Sequence, residues 1–266
     1  MSYFKSGITS NFLTKIPELH SPSVICGFPG TGLVGKIAVD YLIHELKAIQ
    51  LADIFCTSLP PSVVISPEGI VDLNRNSIYY SQSDNHKKDF VFVTGNSQPV
   101  SPESEYLLAE EILRIIKGFG AHKIVTLGAN ITGSFSREPN VYCTATHKEV
   151  LESLTIKDVV KLVDGTVTGM NGLILGIAKL FDMQGICLLG ETSGYVIDAL
   201  AAKSVLYALM QITDLKVDMQ NIENKAKDTE TLIKTIEQQV ASKMSPSGDI
   251  GQQAAPRRPP DTAGIS

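Results

Sequence analysis

Positive charge is scarce in this chain, and the shortage excludes a class of partner. The 266 residues include 23 Lys and Arg against 28 Asp and Glu, so the formal net charge is -5 at pH 7. Proteins that bind nucleic acid neutralise phosphates with clustered Lys and Arg side chains, which this balance argues against. Long apolar runs are lacking too, because Lys179 and Asp182 interrupt the longest candidate, residues 172–189. We therefore expect neither nucleic acid nor a membrane as a partner.

Cysteine and histidine are few and widely spaced. The four cysteines include no C-x-x-C pair, and the five histidines show no metal-ligand spacing. Three of the cysteines lie in apolar segments, which is typical of small buried residues in a reducing compartment. The first residues lack the charged-then-apolar pattern of a secretion signal. We expect a cytoplasmic protein with no metal and no cofactor.

Strand–loop–helix units recur along the chain. The first runs from an apolar strand at 24–26 through a glycine-rich loop into a helical pattern. Apolar strands at 90–93, 123–128 and 186–189 also lead into polar or glycine-containing loops. Because strands of this kind alternate with helices, the sequence predicts a three-layer α/β/α fold around a largely parallel, mixed sheet. A hydrophobic content of 43% is sufficient for its core.

Local signals predict a hairpin and two helix starts. Residues 63–65 and 70–73 flank Pro67-Glu68-Gly69, which is typical of two antiparallel strands joined by a short loop. Ser101 precedes a proline and a glutamate, the usual sequence of a helix N-terminus. Asp198 is predicted to cap a later helix in the same way.

Composition divides the chain into four parts. Residues 1–20 are a lead-in and 21–214 are the α/β domain. From Leu215 onward, apolar residues recur at steps of four and three, which predicts a helix with a heptad seam over 215–243. The seam either packs on its own domain or contacts a partner helix. The residues assigned to a partner contact are Met219, Ile222, Ile233, Ile236 and Val240. Residues 244–266 are rich in Pro, Gly and Gln and are expected to be disordered.

Four loops are expected to meet at one edge of the sheet, where parallel α/β sheets bind their ligands. These edge loops are residues 27–35, 94–99, 128–133 and 190–195. They supply amides and hydroxyls but only one carboxylate, Glu191, so they contain no acid–base pair. We expect no catalytic residues and no enzymatic activity.

The first edge loop imitates two nucleotide-binding motifs. Residues 30–35 match G-x-G-x-x-G, yet the acidic residue that would hold a ribose, Asp53, lies near the start of the next strand rather than its end. Residues 30–36 approximate a P-loop, but Ile37 replaces the Ser or Thr that binds magnesium. The favoured interpretation is that the glycines let the first helix pack closely on the sheet. The alternative is a nucleotide or small-molecule site formed by Gly30, Gly32, Gly35 and Lys36.

Several stretches, taken in order, resemble the archaeal proteasome assembly chaperone family. They are residues 27–36, 94–99, 169–176 and 190–195 with the segment after them, and the match extends over about residues 20 to 220. The motif residues are Gly27, Pro29, Gly30, Gly32, Gly35, Gln98, Pro99, Gly172, Glu191, Thr192, Gly194, Tyr195 and Asp198.

The resemblance implies a fold similar to nucleoside phosphorylases without their catalytic residues. It also implies a homo-oligomer and a chaperone role in building the proteasome core from its α subunits. Family members that dock on the proteasome do so through a C-terminal tail with a tyrosine at the penultimate position. The sequence has Ile265 at that position, so the resemblance does not extend to tail docking.

Overall fold

The structure is a computed structural model that describes residues 4, 7–82, 88–154, 156 and 159–244, without the side chains of 237 and 239–244. The tail expected to be disordered lies almost entirely outside these residues. Within them the strands are β1 (Ile8–Phe12), β2 (Ser23–Gly27), β3 (Ile49–Cys56), β4 (Val63–Ile65), β5 (Val71–Leu73), β6 (Asn76–Ser81), β7 (Phe90–Gly95), β8 (Lys123–Ile131), β9 (Val141–Ala145), β10 (Val159–Lys161) and β11 (Gln184–Thr192). The helices are α1 (Val34–Glu45), α2 (Pro102–Gly118), α3 (Lys148–Ser153), α4 (Gly169–Leu180), α5 (Ala199–Thr213) and α6 (Gln220–Met244).

Nine of these strands form one sheet in the order β1-β3-β6-β7-β2-β8-β11-β9-β10. The four central strands, β7, β2, β8 and β11, run parallel to one another. Antiparallel pairings extend the sheet through β6, β3 and β1 on one side and through β9 on the other. The predicted mixed sheet with a parallel centre is therefore confirmed. Strands β4 and β5 pair with each other in a separate two-stranded sheet.

Helices cover both faces of the sheet. One hydrophobic cluster joins α2 and α4 to one face, and a second joins α1, α5 and the start of α6 to the other. The central strands are apolar on both sides because both sides are covered, as in β2, where every residue is buried. All four cysteines are buried as expected, and burial raises the pKa of the Cys187 thiol to about 11. No helix in the described ranges is both long and apolar enough to cross a bilayer.

The two predicted helix starts are confirmed. The Ser101 hydroxyl accepts a hydrogen bond from the backbone N–H of Ser104 at 3.3 Å, and Pro102 fills the first turn of α2. A carboxylate oxygen of Asp198 accepts from the N–H of Ala201 at 2.8 Å at the start of α5. Each bond satisfies one N–H that the helix itself leaves without a partner.

The C-terminal helix begins later than predicted and packs on its own domain. Asp214 adopts φ +56° at the end of α5, and α6 starts only at Gln220. Tyr41 then donates to the carbonyl of Asp218 at 2.6 Å, which joins this segment to α1. Several seam residues, Met219, Ile222 and Ile233 among them, are buried within the chain. Of the two possibilities left open by the sequence, packing on its own domain describes the seam as far as Ile233.

The remaining seam positions lie towards the end of α6. Ile236 is half-buried, and the side chain of Val240 is outside the described part of the structure. A partner contact through α6 therefore stays a prediction for this last section of the helix only.

Candidate functional site

Three segments at the carboxyl edge of the sheet are joined by two amide side chains. Gln98, in the loop after β7, donates through Nε2 to the carbonyl of Pro29, and its Oε1 accepts from the N–H of Met170 at 2.8 Å. Asn171 accepts from the N–H of Phe28 at 3.3 Å. The first two edge loops and the start of α4 are therefore bound to one another, as the convergence of the loops predicts.

The fourth edge loop and the segment after it bind the glycine loop from the other side. Gly32 has φ +62°, a conformation that favours glycine, and its carbonyl accepts from the N–H of Asp198 at 2.9 Å. The second carboxylate oxygen of Asp198 accepts from the hydroxyl of Thr192 at 2.7 Å. Asp198 thus links the glycine loop, the end of β11 and the first turn of α5.

Two of the glycines have no room for a side chain. A Cβ on Gly35 would collide with the backbone carbonyl of Leu127 in β8, and a Cβ on Gly27 would collide with the carbonyl of Gly35. The close-packing interpretation therefore describes Gly35, which brings α1 onto the sheet. It does not describe Gly30, where the nearest atom to an added Cβ is Nε2 of Gln98 at 3.9 Å.

Lys36 and Asp53 each form an ion pair with another residue of the chain. The ammonium group of Lys36 lies 2.8 Å from a carboxylate oxygen of Asp40 on the same helix, and the other oxygen of Asp40 accepts from Thr94 at 3.0 Å. Asp53 is in β3, which is antiparallel to its neighbours and separated from β2 by β6 and β7. Three strand spacings are roughly 14 Å, and Arg75 pairs with the Asp53 carboxylate. Asp53 is therefore not positioned as a ribose-binding residue next to the glycine loop.

The edge carries an apolar surface that the sequence did not reveal. Tyr195 is 78% exposed, and its ring lies 6.4 Å from that of Phe135 in the loop after β8. Ile131 and Ile197 are also mostly exposed. We call Ile131, Phe135, Tyr195 and Ile197 the edge patch. Of these four, only Tyr195 was among the motif residues, because sequence pattern does not distinguish an exposed apolar loop residue from a buried one.

Glu191, the one carboxylate of the edge loops, is hydrogen-bonded to another segment of the chain. Glu191 accepts hydrogen bonds through Oε2 from the backbone and side-chain nitrogens of Asn140, at 3.1 and 2.8 Å. These bonds connect the end of β11 to the segment that enters β9. Glu191 thus binds another part of the same chain, whereas Ile131, Tyr195 and Ile197 are exposed.

Comparison with known proteins places this arrangement in a family. The PAC2 family model matches residues 24–237. An uncharacterised protein of Methanocaldococcus jannaschii is 35% identical over 234 residues, which make up 88% of this chain and 90% of that protein.

Two solved structures from Pyrococcus furiosus are similar over nearly their whole length. PbaB, an archaeal proteasome activator, is 35% identical with a TM-score of 0.80, covering 87% of this chain and 99% of PbaB. PbaA, an archaeal homologue of proteasome-assembly chaperone, is 26% identical with a TM-score of 0.70, covering 88% and 93% of the two chains.

The matched range includes all four edge loops and the residues that connect them. The resemblance inferred from the motif stretches is confirmed, and the chain belongs to the PAC2 family.

Proposed function

We propose that this protein is a non-enzymatic proteasome assembly chaperone that self-associates and binds proteasome α subunits while the core particle is built. The observation that carries the proposal is similarity over almost the whole chain to PbaA, a homologue of proteasome-assembly chaperone, and to PbaB, a proteasome activator. The likeness extends over 87–88% of this chain and is therefore not limited to the core of the fold, so we expect a related contact surface.

The edge of the sheet supports a protein partner better than a small molecule. Gln98 and Asp198 donate hydrogen bonds to the glycine loop and Asn171 accepts one from it, so the loop is already connected to its neighbours. The exposed groups there include Tyr195 and the branched apolar side chains Ile131 and Ile197, and apolar area of this kind contributes binding energy when a protein partner buries it. We assign the α-subunit contact to the edge patch.

A second candidate function is activation of the assembled proteasome. The observation that favours it is the higher identity to PbaB, 35%, than to PbaA, 26%. The two functions differ in the form of the proteasome that is bound. An assembly chaperone binds free α subunits or their rings, and an activator binds the completed core.

Binding to purified proteasome components tests both. The full chain is immobilised and presented with free α subunits, and separately with assembled core particle. Capture of α subunits supports the assembly role, and capture of the core alone supports activation. If neither is captured, both proposals fail.

A matched pair of variants locates the contact. Tyr195→Ser with Ile197→Ser removes the most exposed side chains of the edge patch, and we expect capture to fall at least tenfold. Leu180→Ser changes an equally exposed apolar side chain at the end of α4 and should have no effect. Equal capture by both variants would mean that the edge patch is not the contact.

A further inference from the structure

The two outermost strands of the large sheet, β1 and β10, differ in how they meet solvent. Strand β10 has three residues and ends in Lys161, and both a short length and a lysine hinder pairing with another chain. Strand β1 has five residues, Ile-Thr-Ser-Asn-Phe, with no charge and no proline, and it pairs with β3 without a bulge. It has an ordinary strand length and lacks the features by which outer strands usually prevent the addition of a further strand.

Alternate residues of β1 direct their backbone hydrogen-bonding groups away from β3. The N–H of Leu13 donates to a carbonyl of β3 at 2.8 Å, and the carbonyl of Gly7 accepts from the residue that follows β3 at 2.9 Å. Odd-numbered residues of this segment therefore face β3, because hydrogen-bonded pairs recur at every second residue. The N–H and C=O groups of Ser10 and Phe12 point to the open side, where they have no hydrogen-bond partner among the described residues.

A groove lies between β1 and α2. Its volume is about 400 Å³, and the residues that line it are Ile8, Leu107, Glu110, Glu111 and Arg114. Leu107 is 53% exposed, and Phe12, which points to the same face of the sheet as Ile8, is 42% exposed. A strand added to β1 would therefore place every second side chain along an apolar surface at the flank of α2.

The groove also carries one negative charge that the chain does not neutralise. Glu111 is paired with Arg114, whose guanidinium donates to both carboxylate oxygens at 2.8 and 2.9 Å, and it accepts from the hydroxyl of Ser10 at 2.7 Å. Glu110 has no ion-pair partner in the described part of the chain. A basic side chain on an added strand would complement it. Strand β1 contains no basic residue, so a second copy of β1 would not supply that charge.

We propose that β1 binds an extended segment of another protein as an added antiparallel strand, whose groove-facing side chains are apolar with one basic residue among them. Ser10 and Phe12 each exchange a pair of hydrogen bonds with the residue opposite, as in other complexes formed by strand addition. The apolar side chains contact Leu107 and Phe12, and the basic one lies near Glu110. Several strands separate this site from the edge patch, so the two sites are tested independently.

A synthetic peptide tests the backbone pairing. The probe is a fluorescein-labelled heptapeptide, Thr-Val-Thr-Lys-Thr-Val-Thr, whose Val and Lys side chains share one face when it is extended. The residues that face the groove are also those whose N–H groups pair with β1, so N-methylation of Val and Lys blocks pairing and N-methylation of the inner Thr residues does not. By fluorescence anisotropy with the full chain, we expect the first modification to weaken binding at least tenfold and the second to leave it unchanged.

Variants of the chain test the same contacts from the other side. Ser10→Pro removes an outward N–H and leaves the pairing with β3 in place, so peptide binding should weaken at least tenfold. Ser10→Ala loses only the hydroxyl bond to Glu111 and is the matched control, with binding unchanged. Glu110→Lys should reverse the preference between the Lys peptide and its Glu analogue. Glu138→Lys makes the same charge change elsewhere on the surface and should not.

The peptides give a result with the unaltered chain even if Ser10→Pro misfolds. Absence of binding at about 1 mM peptide, an equal effect of the two N-methylated peptides, or unchanged binding by folded Ser10→Pro would each overturn the proposal. An unchanged charge preference in Glu110→Lys would overturn the basic residue assigned to the partner. An unaltered chain that does not bind the peptide, but whose mass in sedimentation equilibrium falls with Ser10→Pro, would assign β1 to a second copy instead.

Discussion

The backbone N–H of Asp198 and the carbonyl of Gly32 form a hydrogen bond of 2.9 Å that joins the start of α5 to the glycine loop. The same aspartate caps α5 and accepts from Thr192. One buried residue thus connects the end of β11 and the start of α5 to a glycine loop that lies far away in the sequence.

Replacing Asp198 should therefore lower stability, by an amount that depends on the capping ability of the replacement. Asp198→Ala removes the cap and leaves the Thr192 hydroxyl without its acceptor, so we expect the free energy of unfolding to fall by about 1–3 kcal/mol. Asp198→Asn keeps a capping oxygen and should recover most of this. Urea denaturation measures both. A loss that is the same for Ala and Asn would contradict the capping role.

Two glycines in helices should respond in opposite ways to alanine. At Gly35 the added methyl meets the carbonyl of Leu127, so Gly35→Ala must push α1 away from the sheet and should cost about 1–3 kcal/mol or more. At Gly176, in α4, an added methyl has nothing within 4 Å, and Gly176→Ala should stabilise by about 0.5–1 kcal/mol. Thermal denaturation of the two variants distinguishes the effect of close packing at Gly35 from the general effect of replacing a helical glycine by alanine. Tolerance of alanine at position 35 would show that the helix has room.

Nucleotides should not stabilise the folded chain. The glycine loop is bound by its own neighbours, and Lys36 is paired with Asp40. A genuine ligand at a hundredfold excess over its Kd would raise stability by about 2.7 kcal/mol. We expect no change in Tm with ATP, GTP, NAD or nucleosides. A shift that disappears in Lys36→Ala would restore the nucleotide-site alternative.

Acid should weaken the contact between β1 and α2. Arg114 lowers the pKa of Glu111 through hydrogen bonds of 2.8 and 2.9 Å, and Ser10 of β1 donates another at 2.7 Å. Because the folded-state pKa is depressed, this stabilisation is complete above the unfolded value of about 4.3 and is lost as pH falls through the folded value. The unaltered chain should lose more stability below pH 4.5 than Glu111→Gln, as measured by urea midpoints at each pH.

Glu110→Gln provides the matched control, since it removes a neighbouring carboxylate on the exposed side of α2. The stability of Glu110→Gln should fall with decreasing pH in the same way as that of the unaltered chain. If Glu111→Gln declines equally, the hydrogen bonds to Arg114 and Ser10 do not contribute to the acid response.

Sequence was most informative where a residue's local neighbours determine the structure. Ser101 and Asp198 predicted their helices because capping depends on the next three residues. Apolar runs predicted the parallel centre because strands buried on both faces are apolar throughout. The order of the strands was beyond this kind of reasoning. The strand after α1 could have paired beside β2, and only tertiary packing moves β3 three positions away.

Exposure was the other property that sequence could not supply. The heptad seam of α6 predicted an apolar face without saying what covers it, and in the fold α6 packs mainly on α5. Residues 63–65 and 70–73 predicted a hairpin from the short loop between them, and nothing in that pattern indicates that its side chains stay exposed. Tyr195 and Ile197 resemble core residues in type and are exposed in the fold.

The direction of α6 has a practical consequence for any experiment that uses a fusion. The Tyr207 hydroxyl of α5 donates to Glu223 of α6 at 2.6 Å. Lys234 lowers the pKa of Glu230, and Lys203 in the first turns of α5 adds to this effect, so α6 runs back along α5 towards the edge where the four loops meet. From Glu230 to its end at Met244 the helix extends about 20 Å further. A fusion joined directly after Met244 would therefore lie on the same side of the domain as the edge patch, where we propose that a partner binds.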